Sequence, residues 1–178
     1  MVTIKKSTLD FLKQIKNNNN RDWFIQNRPA YDEAKENFNS FVQEVINQLI
    51  DIEPIMNGLE VKSCVYRFNR DIRFSNDKSP YKNHFGAFIV KGGKKNGDKY
   101  AGYYLHVEPS KSIIAGGAYM PPAPWLAAIR EKIDEEPDRF IKLINNKEFI
   151  KYFGKITGES LKKAPKGYPS DHPHIEHL

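Results

Sequence analysis

The segment from Tyr66 to Gly86, YRFNRDIRFSNDKSPYKNHFG, brings Arg67, Arg70 and Arg73 at three-residue steps ahead of Lys78 and Lys82. Arginine presents a planar fork of donors that fits a carboxylate or phosphate two bonds at a time, while lysine presents a point charge. These five cations are the candidate anion-binding residues. Asp71 and Asp77 stand among them, placed to orient guanidinium groups, and Ser79-Pro80 turns the chain to deliver Tyr81, Lys82 and His84. The competing reading is an internal ion-pair network that ties the loop to acidic helices. Between positions 61 and 99 ten Lys/Arg face three Asp/Glu, a net of +7, whereas the rest of the chain carries 18 basic and 19 acidic residues. A positive field confined to one segment favours an anionic partner. Solvated loop charge is the plainer reading of Lys94, Lys95 and Lys99.

Acid–base chemistry has its own candidates. Tyr104, His106 and Glu108 alternate with Tyr103, Leu105 and Val107, so on a strand they share one face. Beside a bound anion, His84, His106, Glu108 or Asp77 are the candidates for proton transfer, against the plain alternative of a polar solvent face. His172, His174 and His177 are spaced poorly for one ion, since two histidines four apart on a helix would be the stronger pattern. No metal site and no cofactor are expected. The chain has no GxxxxGK[ST], no GxGxxG and no GxSxG, so neither a phosphate-cradling loop nor a nucleophile elbow is present. The single cysteine, Cys64, excludes a disulfide framework and reads as a buried strand residue.

Three classes of function remain open. The chain is a binding module whose cations grip a phosphorylated ligand or a polyanion such as nucleic acid, with Phe68, Phe74, Tyr81 and Phe85 stacking on bases; it is an enzyme whose cations hold a small anionic substrate while His84, His106, Glu108 or Asp77 transfers protons; or it is an interaction scaffold. Salt dependence separates the first two, because only a polyanion releases many counterions.

The elements that must position these residues follow from periodicity. Ser7 or Thr8 caps a helix running to about Lys16, with Leu9, Leu12 and Ile15 as its stripe; Asn20 caps a turn around Trp23 and Phe24. Pro29 opens a longer helix whose apolar face runs from Tyr31 through Phe38 and Val42 to Ile50, and Pro54 and Gly58 end it. From Glu60 the period becomes two. Strands are expected at 63–68, 85–91, 99–107 and 112–119, the middle two joined as a hairpin around an exposed loop at 92–98. Helices follow at 125–133 and 139–145, then an irregular tail from Ile156 with a helix start at Asp171 or His172. The expected architecture is a single α+β domain over residues 1–178, an antiparallel sheet flanked by N-terminal and C-terminal helices. With 178 residues, no apolar run of membrane-span length and no signal-peptide pattern, a cytoplasmic setting is expected.

FLKQIKNNNNRDWF at 11–24, YRFNRDIRFSNDKSPYKNHFGAF at 66–88, GYYLHVEP at 102–109, GGAYMPPAPWLAAIR at 116–130 and KGYPSDHP at 166–173 occur in an order that resembles the DUF2461 family. The resemblance spans nearly the whole chain and implies one family domain without implying a reaction. It also implies a basic, aromatic closing stretch beyond the DHP segment, so a closing piece of the family domain is expected to be missing from residues 1–178. Asp171 and His172 match that segment and, with Tyr81 and Tyr104, are expected at the edge of a site.

Overall fold

Apolar residues at helical steps build the first half of the chain. The computed structural model describes residues 2–156 and 160–178; of the irregular tail expected from Ile156, residues 157–159 lie outside the described residues. Helix α1 spans Lys6–Asn17 and buries Thr8, Phe11, Leu12 and Ile15. Neither Ser7 nor Thr8 caps it. Its start is instead satisfied from the long helix α3, Arg28–Ile52. There the buried Asn37 accepts from the Lys5 N–H at 2.9 Å and from Thr8 Oγ1 at 2.8 Å, and donates to the Thr3 carbonyl at 2.9 Å. A cap borrowed from 29 residues away leaves no local sequence signal. Between them α2, Arg21–Gln26, is capped by Asn20, whose side chain accepts from the Trp23 N–H.

The sheet is antiparallel, in the order β1-β2-β3, with β1 at Phe85–Ile89, β2 at Gly102–Val107 and β3 at Ile113–Gly117. Phe85 pairs with Val107 and Ile89 with Tyr103, so the expected hairpin forms. Its connection contains a short 3-10 turn at Lys94–Asn96 and a buried Gly93 set against Ser63. Phe85, Ala87, Ile89, Leu105 and Val107 point inward and join Phe11, Phe24, Tyr31, Phe38, Val42 and Ile46 in the core. Gly102 is fixed by close approach: a Cβ there would lie 2.6 Å from the Ile89 carbonyl oxygen.

The strand expected at 63–68 does not form. Val61–Cys64 is instead a single helical turn, α4, because Ser63 donates both its N–H (2.9 Å) and its hydroxyl (2.6 Å) to the Glu60 carbonyl and curls the chain. Cys64 is buried as expected, but at the end of this turn rather than in a strand, and burial pushes its thiol up. Beyond it the chain makes two isolated bridges, Val65 with Ala87 of β1 and Asn69 with Tyr81 ahead of that strand.

The described residues form two compact units, the first running to Met120 and the second from Pro121 to Leu178. The second contains α5 (Ala123–Glu135), α6 (Pro137–Ile144) and α7 (Lys147–Phe153). Helix α7 was not anticipated, although Asn146 caps it through the N–H groups of Glu148 and Phe149. At the tail only a 3-10 turn forms, Ile175–His177, in place of the helix expected from Asp171 or His172. The whole is an α+β fold, and no described helix is long and apolar enough to cross a membrane.

Candidate functional site

The outer face of the sheet carries the polar alternation of β2. Gly86 pairs with His106 and Phe88 with Tyr104. Because Gly86 has no side chain, the Tyr104 hydroxyl and the Tyr66 ring settle over it, 3.4 and 3.5 Å from where a Cβ would stand. Tyr66, Tyr104, Lys82, His84, Lys94 and Lys95 line a pocket of about 760 Å³, with Asp98 the one carboxylate among its lining residues. Lys82 and His84 also line a second pocket of about 590 Å³ that reaches Arg70, Asp77 and Lys16.

The basic loop does not bring its arginines together at one cleft. Arg70, the least exposed of them, donates to Asp77, to the Ser79 hydroxyl (2.8 Å) and carbonyl (3.2 Å), and to Ser75 Oγ (3.3 Å). Asp77 also accepts from the Ser79 hydroxyl and N–H; those bonds and Arg70 hold its carboxyl down to about 2. Asp77 is therefore a loop-folding residue in this geometry. Arg73 grips Asp71 in two bonds of 2.9 and 2.7 Å, and Arg67 approaches the same carboxylate at 3.8 Å, all three on the exposed surface. Lys78 donates to the Ile72 carbonyl at 3.1 Å.

Lys82 differs from the other four. No carboxylate among the described residues pairs with it. It is half-buried over the Tyr66 ring, 5.3 Å from the centroid, and desolvation, with Arg67 nearby, lowers its ammonium pKa. The base of the loop positions it. Arg70 N–H donates to the Pro80 carbonyl and Lys82 N–H to the Phe68 carbonyl, both at 2.9 Å. Asn19 clamps the Tyr81 backbone from both sides, donating to its carbonyl at 2.9 Å and accepting from its N–H at 3.1 Å. The asparagine run at 17–20 carries no local signal of this clamp, whose partner is 62 residues away.

Next to Lys82 lies a closed polar network. Tyr104 Oη and His106 Nδ1 are 3.1 Å apart, and His106 Nε2 and Glu108 Oε2 are 3.2 Å apart. Asn83 donates to Glu108 Oε1 at 3.0 Å and meets His84 Nδ1 with its Oδ1 at 3.1 Å. The imidazoles of His84 and His106 stack with centroids 4.1 Å apart. Burial, His106 and Lys82 push the His84 pKa down to about 4, so its ring is neutral at neutral pH. Sequence periodicity placed Tyr104, His106 and Glu108 on one face; the register that adds His84 was not visible in it.

Of the aromatics considered for base stacking, Phe68, Tyr81 and Phe85 belong to the core, and Tyr81 stacks on Phe24 at 4.0 Å. Only Phe74 is exposed, beneath Arg73. Asp171 and His172 lie in the second unit, where His172 Nε2 meets Asp134 Oδ1 at 2.9 Å. His177 pairs with Glu176 at 3.6 Å. Among the described residues the three tail histidines do not gather their donor atoms at one point, whereas those of His84, His106 and Glu108 lie within 4.8 Å of one another.

The model of the DUF2461 family, described as a conserved hypothetical protein, matches residues 7–178. The chain belongs to the DUF2461 family. Neither the curated proteins nor the solved structures contain a significant match.

Proposed function

We propose that this DUF2461 chain binds a small phosphate- or carboxylate-bearing ligand in the pocket on the outer face of its sheet, in a cytoplasmic setting. The observation that carries the reading is Lys82, a half-buried cation without an acidic partner among the described residues, on the wall of that pocket. A desolvated ammonium lacking a counterion gains most from an incoming oxyanion, since the cost of removing its water is already met in the fold. Tyr66 and Tyr104 offer hydroxyls, and Lys94 and Lys95, which also line the pocket, add positive field. The arginine loop supports the site from outside: Arg70 shapes the turn that presents Lys82, while Arg67 and Arg73 contribute long-range field that salt screens.

Calorimetric titration with inorganic phosphate, a phosphate monoester, a dicarboxylate and a short oligonucleotide tests this. One small anion should bind per chain with weak salt dependence. Lys82→Ala should weaken it by about 10- to 150-fold, the equivalent of the ~1.5–3 kcal/mol of one charge-assisted bond. Arg73→Ala should change it little. Preference for the oligonucleotide with a steep salt slope would replace this reading by the polyanion one.

A second reading, an enzyme acting on the same anion, is favoured by the Tyr104–His106–Glu108 chain. A carboxylate that orients one imidazole nitrogen, with the other on a pocket-lining hydroxyl, is a proton relay awaiting a substrate.

A further inference from the structure

Hydrogen-bond logic fixes the protons in the network around Glu108. The Glu108 carboxylate only accepts, so the Asn83 group 3.0 Å from Oε1 must be its NH₂, and its carbonyl oxygen then faces His84. That oxygen requires a proton on His84 Nδ1, 3.1 Å away, and leaves the lone pair on His84 Nε2. No protein donor among the described residues meets Nε2. The same carboxylate receives Nε2–H of His106, and in the neutral imidazole Nδ1 is then the acceptor for the Tyr104 hydroxyl, 3.1 Å away.

We propose that His84, His106 and Glu108 form a binding site for a divalent first-row transition metal ion, of which Zn²⁺ is the natural probe. Their donor atoms lie within 4.8 Å of one another. His106 Nε2 and Glu108 Oε2, 3.2 Å apart, already have the spacing of about 3.3 Å that two ligands adopt around a tetrahedral ion at ~2.0–2.1 Å. Rotation of the His84 ring, which sits in the bend before β1, closes the third position. Two imidazoles and one carboxylate with positions left open is the donor set of reactive zinc and non-haem iron sites. Calcium and magnesium would want more oxygen ligands, and here Lys16 at 3.9 Å from Glu108 and Lys82 beside His84 oppose a site held by charge alone. Asn83 and Tyr104 already supply the outer bonds that hold imidazole ligands in orientation.

Metal entry balances without net proton release from the histidines. The proton on His106 Nε2 moves through solvent to Nδ1, and the Tyr104 hydroxyl turns from donating to Nδ1 to accepting from it. The Tyr104 O–H is then free to donate into the anion pocket that it lines. The metal site uses the pocket reading only for this coupling. Metal binding and anion binding are therefore measured apart, the second on chelator-treated protein.

Untagged protein dialysed against micromolar Zn²⁺ should retain one ion per chain by elemental analysis. Co²⁺ in its place should show the visible absorption of a low-coordinate site. His106→Ala and His84→Gln should each weaken retention at least tenfold, since losing even an outer partner of a ligand costs about 10- to 100-fold. Lys82→Ala should keep the ion while losing phosphate. His84→Gln, on the loop side of the pocket, covers the case in which His106→Ala does not fold. No ion retained by the wild type, or an ion that survives both histidine substitutions and so resides elsewhere, would overturn the proposal.

Discussion

Lys82, His84 and Asp77 occupy one short loop and meet different fates because their surroundings differ. Asp77, fully exposed, is held low by Ser79 and Arg70. Lys82 is desolvated and left without an acid. His84 is held neutral first by burial, with His106 and the Lys82 ammonium beside it. The last of these has a pH signature whose sign is fixed. Between about 6.5, its ordinary value, and about 4 in the fold, the unfolded chain binds a proton that the native protein refuses. Native stability therefore falls as pH drops through that window and the loss is complete below about 4. His84→Gln should flatten the slope of unfolding free energy over that range, seen in denaturant melts at stepped pH; an unchanged slope would show that the titrating group is another. Asp77 acts at lower pH: its contribution is present above about 3.8 and is lost as pH falls through about 2.

At the scale of elements, what was legible in the sequence followed from local period. Helices α1 and α3, the β1–β2 hairpin and the shared face of Tyr104, His106 and Glu108 all rest on patterns a few residues long. What escaped depended on distant partners. Asn37 caps α1 from across the helix pair, Asn19 clamps Tyr81, and Ser63 curls a segment whose apolar alternation reads as a strand. His84 joins His106 only because Gly86 pairs with His106 across the sheet. The arginine spacing was legible as charge, but not the local acids that take up Arg70 and Arg73. Two outcomes follow. Asn19→Ala removes two bonds to the Tyr81 backbone and should cost about 1–3 kcal/mol in chemical denaturation, with the Lys82 loop opening first by hydrogen exchange. Gly102→Ala forces a Cβ against the Ile89 carbonyl and the Val90 side chain, and should cost about 1–3 kcal/mol or more by disrupting the hairpin.

Across the whole molecule the +7 excess gathers on the segment that builds the pocket, while the remainder of the chain is nearly neutral. Most of that charge is spent on internal pairs or faces solvent, where exposed ion pairs contribute about 0–1 kcal/mol each. Field strength alone therefore does not distinguish the five loop cations from one another; desolvation does, and it singles out Lys82. Arg70→Ala should loosen the 70–80 turn and weaken anion binding indirectly, with limited proteolysis cutting that turn, whereas Arg67→Ala should leave fold and affinity nearly unchanged. The most direct measurement is a crystal of the metal-free protein soaked in tungstate, a heavy phosphate mimic located by its anomalous scattering. A peak is expected within hydrogen-bond distance of Lys82 Nζ, between Tyr66 and Tyr104, and it should disappear in Lys82→Ala. Tungstate found only at Arg67 and Arg73, with the pocket vacant, would contradict this.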